Sequence, residues 1–288
     1  MPDSSHMESS CALLQAQSEE VSELVRLREI AALREIEMDE ARRIQALLRP
    51  TGPLRGPNFE IACSSVPFSE VSGDFADYFE LPNGMVGIYL GDVAGKGLPA
   101  AMYGALVMGT LRGTDKTGKS TNGVLEMLNT RLRARASSGR YCATVYALLN
   151  PVTLELQFSN AGLPYPLHSS DLACKPVGEG GVPSGLLQGS SYDVHSIKLS
   201  PGDSVLFATD GLHELQNSRE EEFGVKLAEV WRDCRAKSAE ETIRRLFEFL
   251  NEFASLAHRR DDLTIIVVKA LRTMVLARPA QGFVRVAV

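Results

Sequence analysis

Paired cysteines, a signal peptide and a membrane-length apolar run are all missing from this chain of 288 residues. Its five cysteines (Cys11, Cys63, Cys142, Cys174, Cys234) contain no CxxC pair, and an odd count argues against a disulfide framework. No apolar run reaches the roughly 18 residues that cross a bilayer. The opening MPDSSHMESS lacks the basic start and apolar stretch of a secretory signal. Positive charge is not in excess either: the net charge of -6 gives no electrostatic ground for a nucleic-acid or anionic-membrane partner. These absences fit a reducing cytoplasm. With 44% hydrophobic and 23% charged residues, the chain is too apolar to stay disordered and has the material for a sizeable core.

Glycine and proline are absent from Ala12 to Leu48, where Glu, Arg, Leu and Ala dominate. That composition predicts one long helix over 12–49, after a flexible stretch 1–11 and before the breaker RPTGP. Leu24, Leu27, Ala31, Met38, Ala41 and Leu48 mark a heptad seam interrupted by Arg34 and Gln45, while Val21, Leu24, Leu27, Ile30, Leu33 and Ile36 recur every third residue. The first pattern suits pairing with a second copy, and the second suits packing on a neighbouring domain. Beyond the break the chain turns to short β-like runs: Phe59 to Val66, Met85 to Leu90, Cys142 to Leu149, Leu154 to Asn160, Ser204 to Thr209 and Leu263 to Lys269. Helical stretches at Leu98 to Leu111, Asn122 to Ala136, Val225 to Cys234 and Ala239 to Ala257 come in blocks between them. Such blocks predict an α+β layered fold of antiparallel sheets with helices outside, spanning 54–270, followed by an extension 271–288.

Four aspartates stand at the edges of those runs: Asp74 in VSGDF, Asp92 in IYLGDV, Asp210 in LFATDG and Asp261 in RRDDLTIIVV. One alone reads as a turn residue. Four such carboxylates converging on one rim would repel one another unless cations bind among them, and all-oxygen ligands favour Mg²⁺ or Mn²⁺ over zinc. In GDVAGKG the glycines permit a tight turn that exposes a main-chain carbonyl beside Asp92. A competing signal is GTDKTGKS at 113–120, which matches a phosphate-binding loop and would place Lys119 and Ser120 on a nucleotide.

The ordered series VSGDFADYFELPNGMVGIYLGDVAGKGLPAAM, YCATVYALL, SNAGLPYPL, GVPSGLL, LFATDGLHE and RRDDLTIIVV resembles the bacterial metal-dependent serine/threonine phosphatases of the SpoIIE/RsbU type, within the type 2C superfamily. The match covers roughly residues 40 to 270, and ARRIQALLRP resembles the helix that precedes this domain. The resemblance implies an αββα sandwich. It also implies two Mn²⁺ or Mg²⁺ ions bridged by Asp92, with the Val93 carbonyl alongside and Asp74, Asp210 and Asp261 completing the site. Hydroxide would then attack a phosphomonoester without a protein nucleophile, which agrees with the lack of any Cys followed six positions later by Arg. The implied substrate is a phosphorylated regulatory protein such as an anti-sigma-factor antagonist, with a homodimer and an upstream sensor or activator acting through the long helix. A silent phosphatase-fold scaffold is the remaining alternative, opposed by retention of all four aspartates.

The chain departs from the family pattern at Ala76, where tyrosine is common, and at Leu163, where histidine is common. Lys96, Arg259 and Arg260 flank the motifs but read as solvated turn cations, and Asp77 and Asp262 as ambiguous neighbours, Asp262 the better candidate for an outer-shell role. His168, His195, His213 and His258 show no ligand spacing.

Overall fold

The computed structural model describes residues 4–115, 119–134, 139–234, 238–254 and 259–272. The chain divides into two compact units, Met1–Leu48 and Arg49–Val288. The first is helix α1 (Ser4–Leu47), which starts before the expected Ala12 because neither glycine nor proline interrupts residues 4–47. Residues 4–11 are thus helical, where a flexible end was expected. Val21, Leu24, Leu27, Ile30, Leu33 and Ile36 are all exposed along it.

The second unit holds two antiparallel sheets. One runs β1 (Leu54–Arg55), β2 (Phe59–Val66), β11 (Leu263–Ala270), β10 (Ser204–Ala208), β7 (Leu167–Ser169) and β8 (Cys174–Pro176). The other runs β3 (Phe75–Glu80), β4 (Val86–Val93), β5 (Cys142–Leu149), β6 (Glu155–Ala161) and β9 (His195–Lys198). Period-two alternation divides each strand between two faces. Val205 and Phe207 of β10 and Ile266 and Val268 of β11 join Ile88 and Leu90 of β4 and Phe158 of β6 in the core between the sheets. Their neighbours Leu206, Ala208, Ile265 and Val267 point the opposite way, into a second core with Trp231, Leu246 and Leu250.

That second core is capped by α5 (Gly224–Asp233) and α6 (Ala239–Phe253). Ile243, Leu246 and Leu250 share the buried face of α6. Ser238 caps the helix by accepting from the Glu241 N–H at 3.0 Å, a capping-box spacing. On the far side, α2 (Leu98–Asp115) and α3 (Thr121–Ala134) pack against β4, β5 and β6. The layers are therefore αββα, the α+β sandwich that the resemblance implies.

The phosphate-binding-loop reading of 113–120 is overturned here. Gly113 lies in the last turns of α2 and Lys119 and Ser120 lead into α3, so no strand feeds the motif and the strand–loop–helix geometry it requires is absent. Residues 116–118 of the motif, and residues 135–136 and 255–257 of the expected helices, lie outside the described residues. Of the expected C-terminal extension only Leu271 and Arg272 are described; Leu271 N–H donates to Asn58 O at 2.8 Å, and Arg272 pairs with Asp171.

Phe207 is 1% exposed between the sheets, edge-on to Phe158 at 5.9 Å. Phe207→Ala is expected to lower stability by about 3–5 kcal/mol through the cavity it leaves, measured by denaturant unfolding monitored at Trp231.

Candidate active site

Both sheets contribute to one rim. Asp74 immediately precedes β3 and Asp92 is the second-last residue of β4; pairing of Phe75 with Gly91 brings them to the same end of one sheet. Asp210 opens α4 (Asp210–His213) just after β10, and Asp261 lies just before β11, whose Ile265 pairs with Ala208. A Cβ on Gly211 would stand 1.9 Å from Asp262 O, so only glycine lets the first turn of α4 pass this close to the Asp261 loop. After Asp92 the chain turns through Gly95 (φ 107°) and Gly97 (φ 72°), left-handed positions that glycine adopts freely.

The rim is electrostatically strained. Burial, then repulsion from Asp92, holds Asp74 well above the ordinary carboxylate range. Burial and the negative charges of Asp210, Asp261 and Asp262 push Asp92 up to about 7. Asp210 is raised by burial and by Asp261. These are the effects expected of carboxylates crowded in a partly desolvated site.

Its supports come from distant loops. Asp262 accepts from the N–H of Phe68 at 2.6 Å and of Gly73 at 2.8 Å, so both its oxygens clamp the segment leading to Asp74. Thr209 donates to Asp74 Oδ2 at 2.9 Å and accepts from the Thr264 N–H at 3.0 Å, tying the two sheets together. Arg140 donates to Ala94 O at 3.1 Å, bracing the glycine turn. Neither Thr209 nor Arg140 was marked by the sequence. Thr209 adjoins Asp210 in ATDG, its one available signal.

Lys96 is not the solvated turn cation its sequence position suggests. Its Nζ lies 2.7 Å from Asp261 Oδ2, donates to Arg260 O at 2.6 Å and sits 5.1 Å over the Phe68 ring. The bond to Asp261 raises its pKa. Arg259 likewise is engaged, donating to Pro67 O. Asp77 belongs elsewhere: buried, it accepts from Arg112 Nε at 2.8 Å and Tyr89 Oη at 3.2 Å. Ala76 and Leu163 are core residues. His168 pairs with Asp203 and His195 accepts from the Glu179 N–H, both away from the rim, while burial lowers the pKa of His213 at the end of α4. His258 lies outside the described residues. Burial pushes Cys63, Cys142 and Cys234 up to about 12, leaving them unsuited to nucleophilic work.

The profile of the Stage II sporulation protein E (SpoIIE) family matches residues 82–271. The chain belongs to the SpoIIE family. Among relatives of this SpoIIE-family chain, the phosphoserine phosphatase RsbU of Bacillus subtilis is 24% identical over 240 residues, covering 81% of this chain and 70% of that protein. Protein IcfG of Synechocystis is 25% identical over 217 residues, 66% of this chain but 34% of IcfG. The SiaA-PP2C domain of Pseudomonas aeruginosa superposes with a TM-score of 0.72 at 21% identity, over 83% of this chain and 98% of that domain. The RsbU and RsbW domains of Rv1364c from Mycobacterium tuberculosis give a TM-score of 0.65 at 25% identity, over 77% of this chain and 62% of theirs. The chain thus spans only part of several of these relatives.

The residues present suit the divalent cations that the SpoIIE fold implies. The donors are all oxygen, as hard cations require. Asp74 Oδ1 is buried with no hydrogen-bond partner, an orphan that a cation would satisfy. Asp92 Oδ1 and Val93 O lie 3.5 Å and 3.4 Å from the point a Cβ on Gly73 would occupy, so both oxygens face the Gly73 backbone within van der Waals reach. As they stand, however, no three His, Cys, Asp or Glu groups among the described residues close around a single point. Asp74 and Asp92 stand at the end of one sheet and Asp210 and Asp261 at the end of the other, and Asp92 feels the charges of the latter two across the rim.

Because Asp92 is held against like charge, Asp92→Asn is expected to stabilise the chelator-treated protein, by about 1–3 kcal/mol. Asp262→Asn should do the reverse by about 1–3 kcal/mol, since an amide cannot accept both backbone N–H groups. Thermal unfolding in EDTA compares the two.

Proposed function

We propose that this chain is a metal-dependent phosphoprotein phosphatase that hydrolyses phosphoserine or phosphothreonine, with Asp74, Asp92, Val93 O, Asp210 and Asp261 holding two Mn²⁺ or Mg²⁺ ions. The single observation that carries the reading is the meeting of four aspartates on the rim where two sheets join, three of them, Asp74, Asp92 and Asp210, with raised pKa. Family membership and the RsbU relative support it. When bound, such ions neutralise the rim, orient the phosphoryl group and make a water acidic enough to attack it.

The chain's own residues have three tasks. Asp92, at the end of β4 and under the charges of Asp210, Asp261 and Asp262, would hold both ions. Asp262 and Thr209 fix where Asp74 stands. The Lys96 ammonium, next to Asp261, lies on the outer side of the rim, where it orients that carboxylate and offsets part of its charge. No thiol or imidazole is needed for the reaction.

The family points to a phosphorylated regulatory protein in the cytoplasm as substrate, of the anti-sigma-factor-antagonist kind. No helix among the described residues is long and apolar enough to cross a membrane. For α1, the exposed Leu24, Leu27, Ile30 and Leu33 support pairing with a second copy, through which an upstream sensor or activator acts.

Turnover of phosphoserine peptide is expected to require Mn²⁺ or Mg²⁺ and to vanish in chelator. Asp92→Asn and Asp210→Asn should each reduce kcat about a hundredfold or more, while Lys119→Ala leaves it unchanged. Full turnover of the metal-stripped protein would overturn the reading. Deleting residues 1–45 is expected to halve the mass seen by light scattering and alter the rate at matched metal; an unchanged mass would show that α1 does not pair.

A further inference from the structure

Beside the rim lies a groove that the phosphoryl chemistry itself does not use. A cavity of about 90 Å³ lined by Gly211, Glu214, Gln216, Glu222, Arg260 and Asp261 adjoins a second of about 430 Å³ that shares Glu214, Gln216 and Arg260 and runs out to Glu220 and Glu252. One wall is the tight loop closed by the Gln216–Glu222 bridge. There Asn217 Oδ1 accepts from the N–H groups of Arg219 at 2.9 Å and Glu221 at 3.1 Å. Glu220 sits at φ 62°, a left-handed position that a non-glycine residue holds at a cost, and such strain concentrates at functional sites. The opposite wall is the C-terminal end of α6, with Asn251 and Glu252.

The charges along the groove are ordered. Arg260 is exposed beside Asp261, and its guanidinium has no partner among the described residues. Arg259 also lines the wide cavity, but its guanidinium donates to Pro67 O. Farther out the carboxylates of Glu220 and Glu252 are exposed and carry no hydrogen bond or ion pair among the described residues. Glu214, between them, has its pKa raised by burial and by Asp210, Asp261 and Glu222. The near end therefore presents the guanidinium of Arg260 among the carboxylates of Asp261, Glu214 and Glu222, and the far end presents the unpaired carboxylates of Glu220 and Glu252.

We propose that this groove is the substrate-docking site: it takes the polypeptide segment flanking the phosphorylated residue and selects segments that carry a lysine or arginine a few residues from the phosphate. The inference rests on the phosphatase reading, because it places the phosphoryl group at the Asp261 end. Arg260 sets the direction, since it attracts the phosphate and repels a basic side chain from the near end. Glu220 and Glu252 supply the complementary charge at the far end. Rim charges of this kind act on encounter and affinity, and their effect fades as salt screens them.

The test uses the full chain with Mn²⁺ and three phosphoserine peptides identical except for lysine, alanine or glutamate at the flanking positions, with p-nitrophenyl phosphate as a small phosphoester. The lysine peptide is expected to have the highest kcat/KM, about tenfold above the glutamate peptide at low salt, through KM rather than kcat. In the double variant Glu220→Lys/Glu252→Lys the order should invert in favour of the glutamate peptide, an outcome that lost packing does not produce. Equal kcat/KM for the three peptides, or an order unchanged in the double variant, would overturn the docking groove while leaving the phosphatase reading intact. Failure to hydrolyse any of the four phosphoesters would overturn both.

Discussion

Everything at the rim depends on two sheets burying their inner faces against each other. Ile61, Ile88, Leu90, Phe158, Phe207 and Ile266 leave water together, and that burial fixes the ends of β3, β4, β10 and β11 side by side. Those ends carry the aspartates. Apolar packing thus forces carboxylates together against their own repulsion, and the raised pKa of Asp92 and Asp74 records the conflict. A core this extensive can hold such a strained site, because each buried Leu, Ile or Phe contributes about 1.5–3 kcal/mol while one crowded carboxylate costs about as much.

Long strands and amphipathic helices were legible in the residues themselves. Phe59–Val66 and Cys142–Leu149 coincide with β2 and β5, since each is an apolar run bounded by turn chemistry. β3 was not read, because FADYFE carries a charge in its middle; the Asp77 carboxylate is tolerable there only through Arg112 and Tyr89, partners 35 and 12 residues away. β1, β7, β8 and β9 are too short, at two to four residues, to show a period. Gly109 and Gly113 did not stop α2, which extends past the expected Leu111 to Asp115.

The site divides in the same way. The four aspartates could be picked out because each stands beside a glycine or at a strand edge, and their order along the chain matched a family. Their supports could not be, because each joins segments far apart. Thr209 reaches Asp74 across 135 residues, and Asp262 reaches Phe68 and Gly73 across 194 and 189. Lys96 finds Arg260 O across 164. Residue type alone marks a carboxylate as able to bind a cation; only the tertiary fold decides whether its oxygens are spent on backbone N–H groups. Asp261 and Asp262 are adjacent and chemically identical, yet Asp262 spends both oxygens on the distant N–H groups of Phe68 and Gly73, while Asp261 accepts from the neighbouring Asp262 N–H and pairs with Lys96.

That contrast explains how the rim is organised in charge. The clamping carboxylate points inward to backbone donors, which consume its acceptor capacity. The rim carboxylates are less fully committed: Asp74 keeps Oδ1 without a partner, and Asp261 divides its oxygens between the Asp262 N–H and the Lys96 ammonium, with Arg260 at the mouth of the groove. A phosphorylated segment approaching a chain of net charge -6 meets a net repulsion. The edge beside Asp261 is where a fixed ammonium and a free guanidinium stand together, so orientation of an anionic group follows from where these two cations are anchored. Both are tied to the 259–262 loop, Lys96 through Arg260 O and Arg260 by sequence. The loop that carries Asp261 therefore also anchors both cations, as the proposed docking of a phosphorylated segment requires.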